Sequence, residues 1–130
     1  MLRFFLFIPI LLAGCLKDET VSGYADPGAS YQLVEMDGAA FNARATISFP
    51  EQGSITGKGP CNSYGASQSV PYPWFEIGPI RATRAACSDL TLEIEFFTAL
   101  SGMSQIEAFG DTVILREDDG REMIFRTSQP

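Results

Sequence analysis

The chain has 130 residues, 45% of them hydrophobic, with 16 Asp and Glu against nine Lys and Arg and no histidine. At a formal net charge of −7 it is a poor partner for a phosphate backbone or an anionic lipid surface, so no nucleic-acid role is expected. The missing histidine excludes Ser-His-Asp and Cys-His catalysis and any His-containing zinc site, leaving carboxylates, Tyr or Lys for acid–base chemistry.

The N-terminus opens with Met1-Leu2-Arg3, an apolar run from Phe4 to Leu12, and Ala13-Gly14. The run falls well short of the roughly 20 apolar residues needed to span a bilayer and has the length of a secretion-signal core. Leu12-Ala13-Gly14-Cys15 resembles the bacterial lipobox. That resemblance implies a diacylglyceryl group on the Cys15 sulfur and cleavage before Cys15. Residues 1–14 then form a lipoprotein signal peptide. The alternatives are a plain secretory signal with an incidental cysteine, or a buried apolar strand. Cleavage leaves 116 residues with eight Lys and Arg against 16 acidic residues, a net charge of −8. So acidic a chain needs lipid rather than surface charge to hold it at a membrane, and stable anchoring takes more than one acyl chain. Lipoprotein processing supplies that. The residue after the cysteine is Leu16 rather than Asp, which favours the outer membrane, facing the periplasm, over inner-membrane retention.

Lipidation of Cys15 leaves Cys61 and Cys87. In an oxidising envelope these two can pair. The closed loop of about 27 residues contributes roughly 3–4 kcal/mol in the chain-entropy description. Two buried free thiols, or one reactive thiol, are the competing readings.

Residues 15–29 read as the lipidated cysteine and a flexible tether, because large apolar side chains are few from Leu16 to Ser30. Strand patterns begin at Tyr31–Met36, closed by a turn at Asp37-Gly38. Residues 43–49 and 54–57 form a hairpin around Gln52-Gly53, and Gly59-Pro60 breaks it. Residues 62–69 are polar around Tyr64. Two short strands, 74–77 and 80–84, flank Gly78-Pro79. From Leu90 the period changes: Leu92, Phe96, Ala99, Leu100 and Met103 share one helical face, with Ile94 and Phe97 widening it. Ser88 or Asp89 can cap this helix, and Gly102 lies near its end. Residues 105–109, 112–116 and 122–126 return to strands around Gly110-Asp111 and Asp118-Asp119-Gly120. The expected fold is mainly β. It is a small antiparallel barrel-like or strongly curved sheet of about seven to eight short strands, with one helix over about residues 90–102.

Gly57-Lys58-Gly59-Pro60-Cys61-Asn62-Ser63-Tyr64-Gly65 resembles the Gly-rich, Cys-Asn-x-aromatic signature of the META domain (HslJ-like) family. Thr83-Arg84-Ala85-Ala86-Cys87 resembles the family's second block, with Ala85 where Met is usual. Pro60 replaces a common Gly, and Gly65 comes one residue early. Tyr31-Gln32-Leu33, Glu95–Leu100 and the closing strands also agree in order, giving a domain over 30–128. The resemblance implies a small β-barrel-like domain with one helix, often lipid-anchored and linked to envelope stress and drug tolerance, in some organisms to secretion or motility. It carries over no enzyme activity, metal or cofactor. Its motif residues Gly57, Gly59, Asn62, Tyr64, Gly65, Thr83 and Ala86 read as fold-defining: Asn62 suits a turn, the glycines permit close backbone approach, and Cys61 and Cys87 can staple strands.

The functional expectation is a non-catalytic, lipid-anchored envelope protein serving as a stress-linked interaction or binding module. Its partners are the membrane, through Cys15, and an unidentified envelope protein or small ligand. One alternative is a binder of small apolar ligands using Tyr64, Tyr72, Trp74 and Phe75. The other is an inhibitor of an envelope-active enzyme such as lysozyme, whose basic surface would meet Glu117, Asp118, Asp119 and Glu122.

Overall fold

A computed structural model describes residues 17–127. The expected signal peptide, Cys15 and residue 128 at the expected domain's end lie outside the described residues. Among the described residues nine strands and one α-helix follow in order: β1 (Tyr31–Met36), β2 (Ala39–Ala40), β3 (Thr46–Ile47), β4 (Ser54–Lys58), β5 (Ser63–Ser67), β6 (Arg81–Ala82), α1 (Leu90–Gly102), β7 (Gln105–Phe109), β8 (Thr112–Arg116) and β9 (Glu122–Thr127). Among the described residues no helix is long and apolar enough to cross a membrane.

The strands form two antiparallel sheets. The larger has the order β2-β1-β9-β8-β7, and β3 shares with β2 the same edge of β1. The smaller has the order β4-β5-β6. Alternation explains the strands: Tyr31 and Leu33 are buried while Gln32 is exposed, and Val113 and Leu115 bracket the less buried Ile114. Asp37-Gly38 makes the two-residue turn between β1 and β2, with both residues at positive φ. Asp37 then receives the Glu122 N–H at 3.0 Å and the Arg121 guanidinium at 3.1 Å, which ties this turn to the β8–β9 loop.

The expected barrel-like closure is not present. Isolated bridges join the sheets: Ser48 to Thr56 on one side, and Trp74 to Gln105 and Gln68 to Ile77 on the other. The prolines explain the second gap. Pro71, Pro73 and Pro79 have no N–H to donate, so residues 71–80 cannot continue a ladder, and the expected strand at 74–77 is reduced to single contacts.

The core lies between the sheets and beneath α1. Phe96 joins them, with ring centroids 5.7 Å from Tyr64 of β5 and 6.5 Å from Phe125 of β9. Tyr31, Phe49, Phe96 and Phe125 are among its largest fully buried side chains. Each large apolar side chain so buried contributes about 1.5–3 kcal/mol before entropy is counted. The buried face of α1 is Glu93, Phe96, Ala99 and Leu100, followed by Met103 just past its end. Leu92 is half-buried and Ile94 points to solvent, so the apolar face is narrower than its sequence suggests.

Within the segment expected to be a flexible tether, a stretch around Thr20 and Val21 packs onto the domain, while most of its other described residues are exposed. Thr20 and Val21 are buried, and residues Val21–Gly23 form a 3₁₀ turn. The Asp18 carboxylate accepts from the Thr20 N–H at 2.9 Å and from the Ser22 hydroxyl. Burial raises the Asp18 pKa, but hydrogen bonds from Ser22 and Thr20 outweigh it and leave the group below its ordinary value. The Glu19 carbonyl accepts from the Tyr72 N–H at 2.7 Å, and the Tyr24 ring stacks on Tyr72 with centroids 4.0 Å apart. Two buried residues and one aromatic stack suffice to order a stretch whose composition reads as linker.

Candidate functional site

The motif residues gather at the β4–β5 hairpin loop, Gly59-Pro60-Cys61-Asn62, which the Gly59 N–H closes on the Asn62 carbonyl at 2.7 Å. This loop is fastened to the segment leading into α1. Cys61 and Cys87 form a disulfide with Cα atoms 5.7 Å apart, the pairing expected from the cysteine count.

Asn62 sits beside that bond, 5% exposed, with its side-chain amide fully engaged. Its Oδ1 accepts from the Thr83 hydroxyl at 2.9 Å and the Ala85 N–H at 2.7 Å. Its Nδ2 donates to the Ala85 carbonyl at 3.0 Å and to Glu93 Oε1 at 2.6 Å. Two donors and two acceptor sites are thus all used. A flipped amide would set NH₂ against N–H and oxygen against oxygen, so only one orientation fits. The amide reads both backbone groups of Ala85, as a neighbouring strand would.

Glu93 completes the arrangement. The residue is 4% exposed, and its Oε2 accepts from the Cys61 N–H at 2.6 Å and the Asn62 N–H at 2.7 Å. These are backbone donors that a loop leaves without ladder partners, and burying them unpaired is costly. The position in the first turn of α1 also suits an acidic group, because the helix macrodipole is positive there. Glu93 was missed by motif reading. A signal for it exists: residues 93, 96, 100 and 103 follow i, i+3, i+7, i+10, so the carboxyl lies on the apolar stripe and requires a buried partner.

The glycines divide. A Cβ on Gly57 would collide with the Thr46 carbonyl and lie 2.7 Å from the Tyr64 hydroxyl. That space is needed because the Tyr64 hydroxyl donates to the Thr46 carbonyl at 2.6 Å. Burial pushes the Tyr64 phenol well above its ordinary value. A Cβ on Gly59 would lie 2.9 Å from Glu93 Oε2 and 3.2 Å from Phe97 Cζ. Gly65 is different: a Cβ there meets only the Ile55 carbonyl at 3.6 Å, an ordinary contact, so close approach does not explain that glycine. Ala86 is exposed, and nothing in the structure explains its place in the motif.

The other expected site residues scatter. Of the aromatics considered for an apolar ligand, Tyr64 and Phe75 are buried in the core, Tyr72 is half-buried and Trp74 is exposed. The acidic group at the β8–β9 loop is partly engaged: Glu122 pairs with Arg116 at 3.1 Å, Asp118 accepts from Ser104 at 3.1 Å and Asp119 from the Arg121 N–H at 3.0 Å. Among the described residues no cluster of Cys, Asp and Glu has the geometry of a metal site. A surface cleft of about 290 Å³ beside the motif is lined by Arg44, Lys58 and the hydroxyl residues Ser48, Thr56 and Ser63.

Comparison with known proteins agrees with this fold. A protein from Burkholderia xenovorans solved by NMR is 20% identical, with a TM-score of 0.64 over 85% of this chain and 88% of that one. The crystal structure of a DUF4847 family protein from Bacteroides vulgatus is 12% identical, with a TM-score of 0.61 over 80% and 95% of the two chains. At these identities the likeness shows the fold alone. No curated protein matches the chain. The META domain family matches residues 25–130, a span that includes the disulfide, the Asn62–Glu93 clasp and both sheets, and the chain belongs to that family.

Proposed function

We propose that this chain is a non-catalytic, lipid-anchored protein of the cell envelope, most simply at the outer membrane facing the periplasm, whose META domain is an interaction or binding module in envelope stress. One observation carries the reading. The polar groups of the family motif are turned inward onto one another, with Asn62 holding Thr83, Ala85 and Glu93. A motif spent on holding the fold leaves function to the surface that the fold presents. The lipobox-like Leu12–Cys15 and the disulfide, which suits an oxidising compartment, support the location. The cleft beside Arg44 and Lys58 offers cationic and hydroxyl groups in an otherwise acidic chain, which suits a partner bearing anionic or polar groups.

Metabolic labelling with a palmitate analogue tests the anchor. Label on the wild type, absent from Cys15→Ser, with membrane fractionation lost in parallel, is the expected result. Crosslinking the anchored chain in intact cells then identifies what it touches. A turnover activity of the purified chain that disappears on a single substitution would refute the non-catalytic reading.

A further inference from the structure

We propose that the aromatic edge made by Tyr24, Tyr72, Trp74 and Phe109 seats on the lipid headgroup layer of the membrane that holds Cys15. This rests on the reading of Cys15 as lipidated, and it makes residues 15–29 a short strap that holds the domain down rather than a flexible tether.

The first argument is reach. The described chain begins at Lys17, two residues after Cys15, and its ammonium lies 5.9 Å from the Tyr24 ring centroid. Two residues at full extension span about 7 Å, and the four from Cys15 to Glu19 about 14 Å. Glu19 is pinned to the domain, because its carbonyl accepts from the Tyr72 N–H at 2.7 Å. Thr20 and Val21 are buried immediately after it. The acylated residue is therefore held within about 14 Å of Glu19, which is joined to Tyr72 of the aromatic face.

The second argument is what that face carries. Trp74, Phe109 and Tyr24 are 56%, 54% and 46% exposed, whereas the other exposed large apolar side chains among the described residues, Leu90 and Ile94, lie on α1. Trp74 pairs with Gln105 at one end of β7, and Phe109 closes the other end on the same exposed face, about 13 Å along the strand. Between them the Tyr72 hydroxyl accepts from the Ala108 N–H at 3.1 Å, and Tyr24 stacks on Tyr72. Trp74, Tyr72 and Phe109 therefore meet β7 in succession along its length, at Gln105, Ala108 and its last residue. Tyr and Trp are favoured at headgroup depth, where an apolar ring with a polar handle meets both neighbours.

The third argument concerns charge. Asp18 and Glu19 accompany Lys17 at this edge, and Glu107 on β7 is paired with Arg116 at 2.8 Å. The edge is thus not cationic, so attraction to anionic lipid does not drive the contact. Zwitterionic headgroups suffice, and an anionic surface weakens the contact.

Trp74 is the only tryptophan, so its fluorescence reports the edge directly. The experiment uses the full mature chain, purified with its lipid and placed in phosphatidylcholine vesicles carrying a nitroxide at a shallow or a deep acyl position. The expected result is a blue-shifted Trp74 emission, quenched more by the shallow label than by the deep one. A chain whose mass shows the diacylglyceryl group, which floats with the vesicles yet leaves Trp74 unquenched at an exposed-indole wavelength, overturns the proposal while the anchor stands. A mass without that group overturns the anchor reading and the proposal with it. A blue-shifted Trp74 in an unlipidated Cys15→Ser chain that sediments as a dimer assigns the edge to a second copy instead and also overturns the proposal.

Discussion

The Glu93 carboxyl group and the Asn62 side-chain amide meet at 2.6 Å across 31 residues of sequence, at a point where both are buried. The contact ties the first turn of α1 to the β4–β5 loop. It gives the asparagine beside the disulfide cysteine a structural role in this chain. The loop's Cys61 and Asn62 N–H groups need acceptors, Glu93 supplies them, and Asn62 orients Glu93 in return.

Substituting either partner disturbs the whole clasp. Glu93→Gln places an NH₂ group among N–H donors, whichever way it turns, and is expected to cost about 2–3 kcal/mol. Asn62→Asp sets a second carboxyl group against Glu93 and the Ala85 carbonyl. The two changes are expected to be non-additive, with a coupling of about 1–3 kcal/mol in a double-mutant cycle read by urea unfolding. Strict additivity would show that the contact does not act as a unit.

The two motif glycines at β4–β5 are expected to behave differently. Gly57→Ala forces a methyl group against the Thr46 carbonyl and the Tyr64 hydroxyl, at a cost of about 3 kcal/mol. Gly65→Ala meets an ordinary contact, and the stiffer unfolded chain makes it neutral or stabilising by up to about 1 kcal/mol. Thermal melts of the two variants side by side check the order, and equal losses would contradict the assignment.

The Tyr64 phenol gives a pH signature. Its pKa is raised in the folded chain by burial, so the folded state holds the proton where the unfolded state releases it. The contribution is fully present below the ordinary phenol value of about 10 and is lost as the pH climbs above it. Denaturation midpoints are expected to fall more steeply above that pH in the wild type than in Tyr64→Phe. At neutral pH Tyr64→Phe loses about 1–2 kcal/mol, because the Thr46 carbonyl is left without its donor.

Reducing the disulfide frees a loop whose ends are also held by Asn62 and Glu93. The Cys61→Ala, Cys87→Ala variant is expected to lose about 3–4 kcal/mol and still fold. Adding Glu93→Gln to it is expected to unfold the chain at a lower urea concentration than either change alone. Circular dichroism against urea, with and without reductant, measures both.

Much of this architecture is local and therefore legible. The strands at 31–36, 105–109, 112–116 and 122–127 follow from period-two alternation, and their turns from Asp-Gly, Gly-Asp and Asp-Asp-Gly. The helix follows from its apolar spacing and lack of proline. Residues 18–25 read as linker because Val21 and Tyr24 are two apolar side chains among polar ones, and their burial depends on Tyr72 and the surface beneath it. The strand expected at 74–77 is reduced to single bridges at Trp74 and Ile77, because the neighbouring prolines deny it a ladder.

The sequence by itself determined what depends on neighbours along the chain: the signal-like N-terminus, the acidic balance, the absence of histidine, the strand and turn order, and the family motif. The tertiary structure alone decided which groups of that motif face each other. Glu93 becomes a partner of Asn62, Gly57 a site of close approach to Thr46, and Tyr24 a stacking partner of Tyr72. The reason is physical. Periodicity reports which side of an element is apolar, whereas hydrogen bonds and close approaches between distant segments exist only once two sheets and a helix enclose one core.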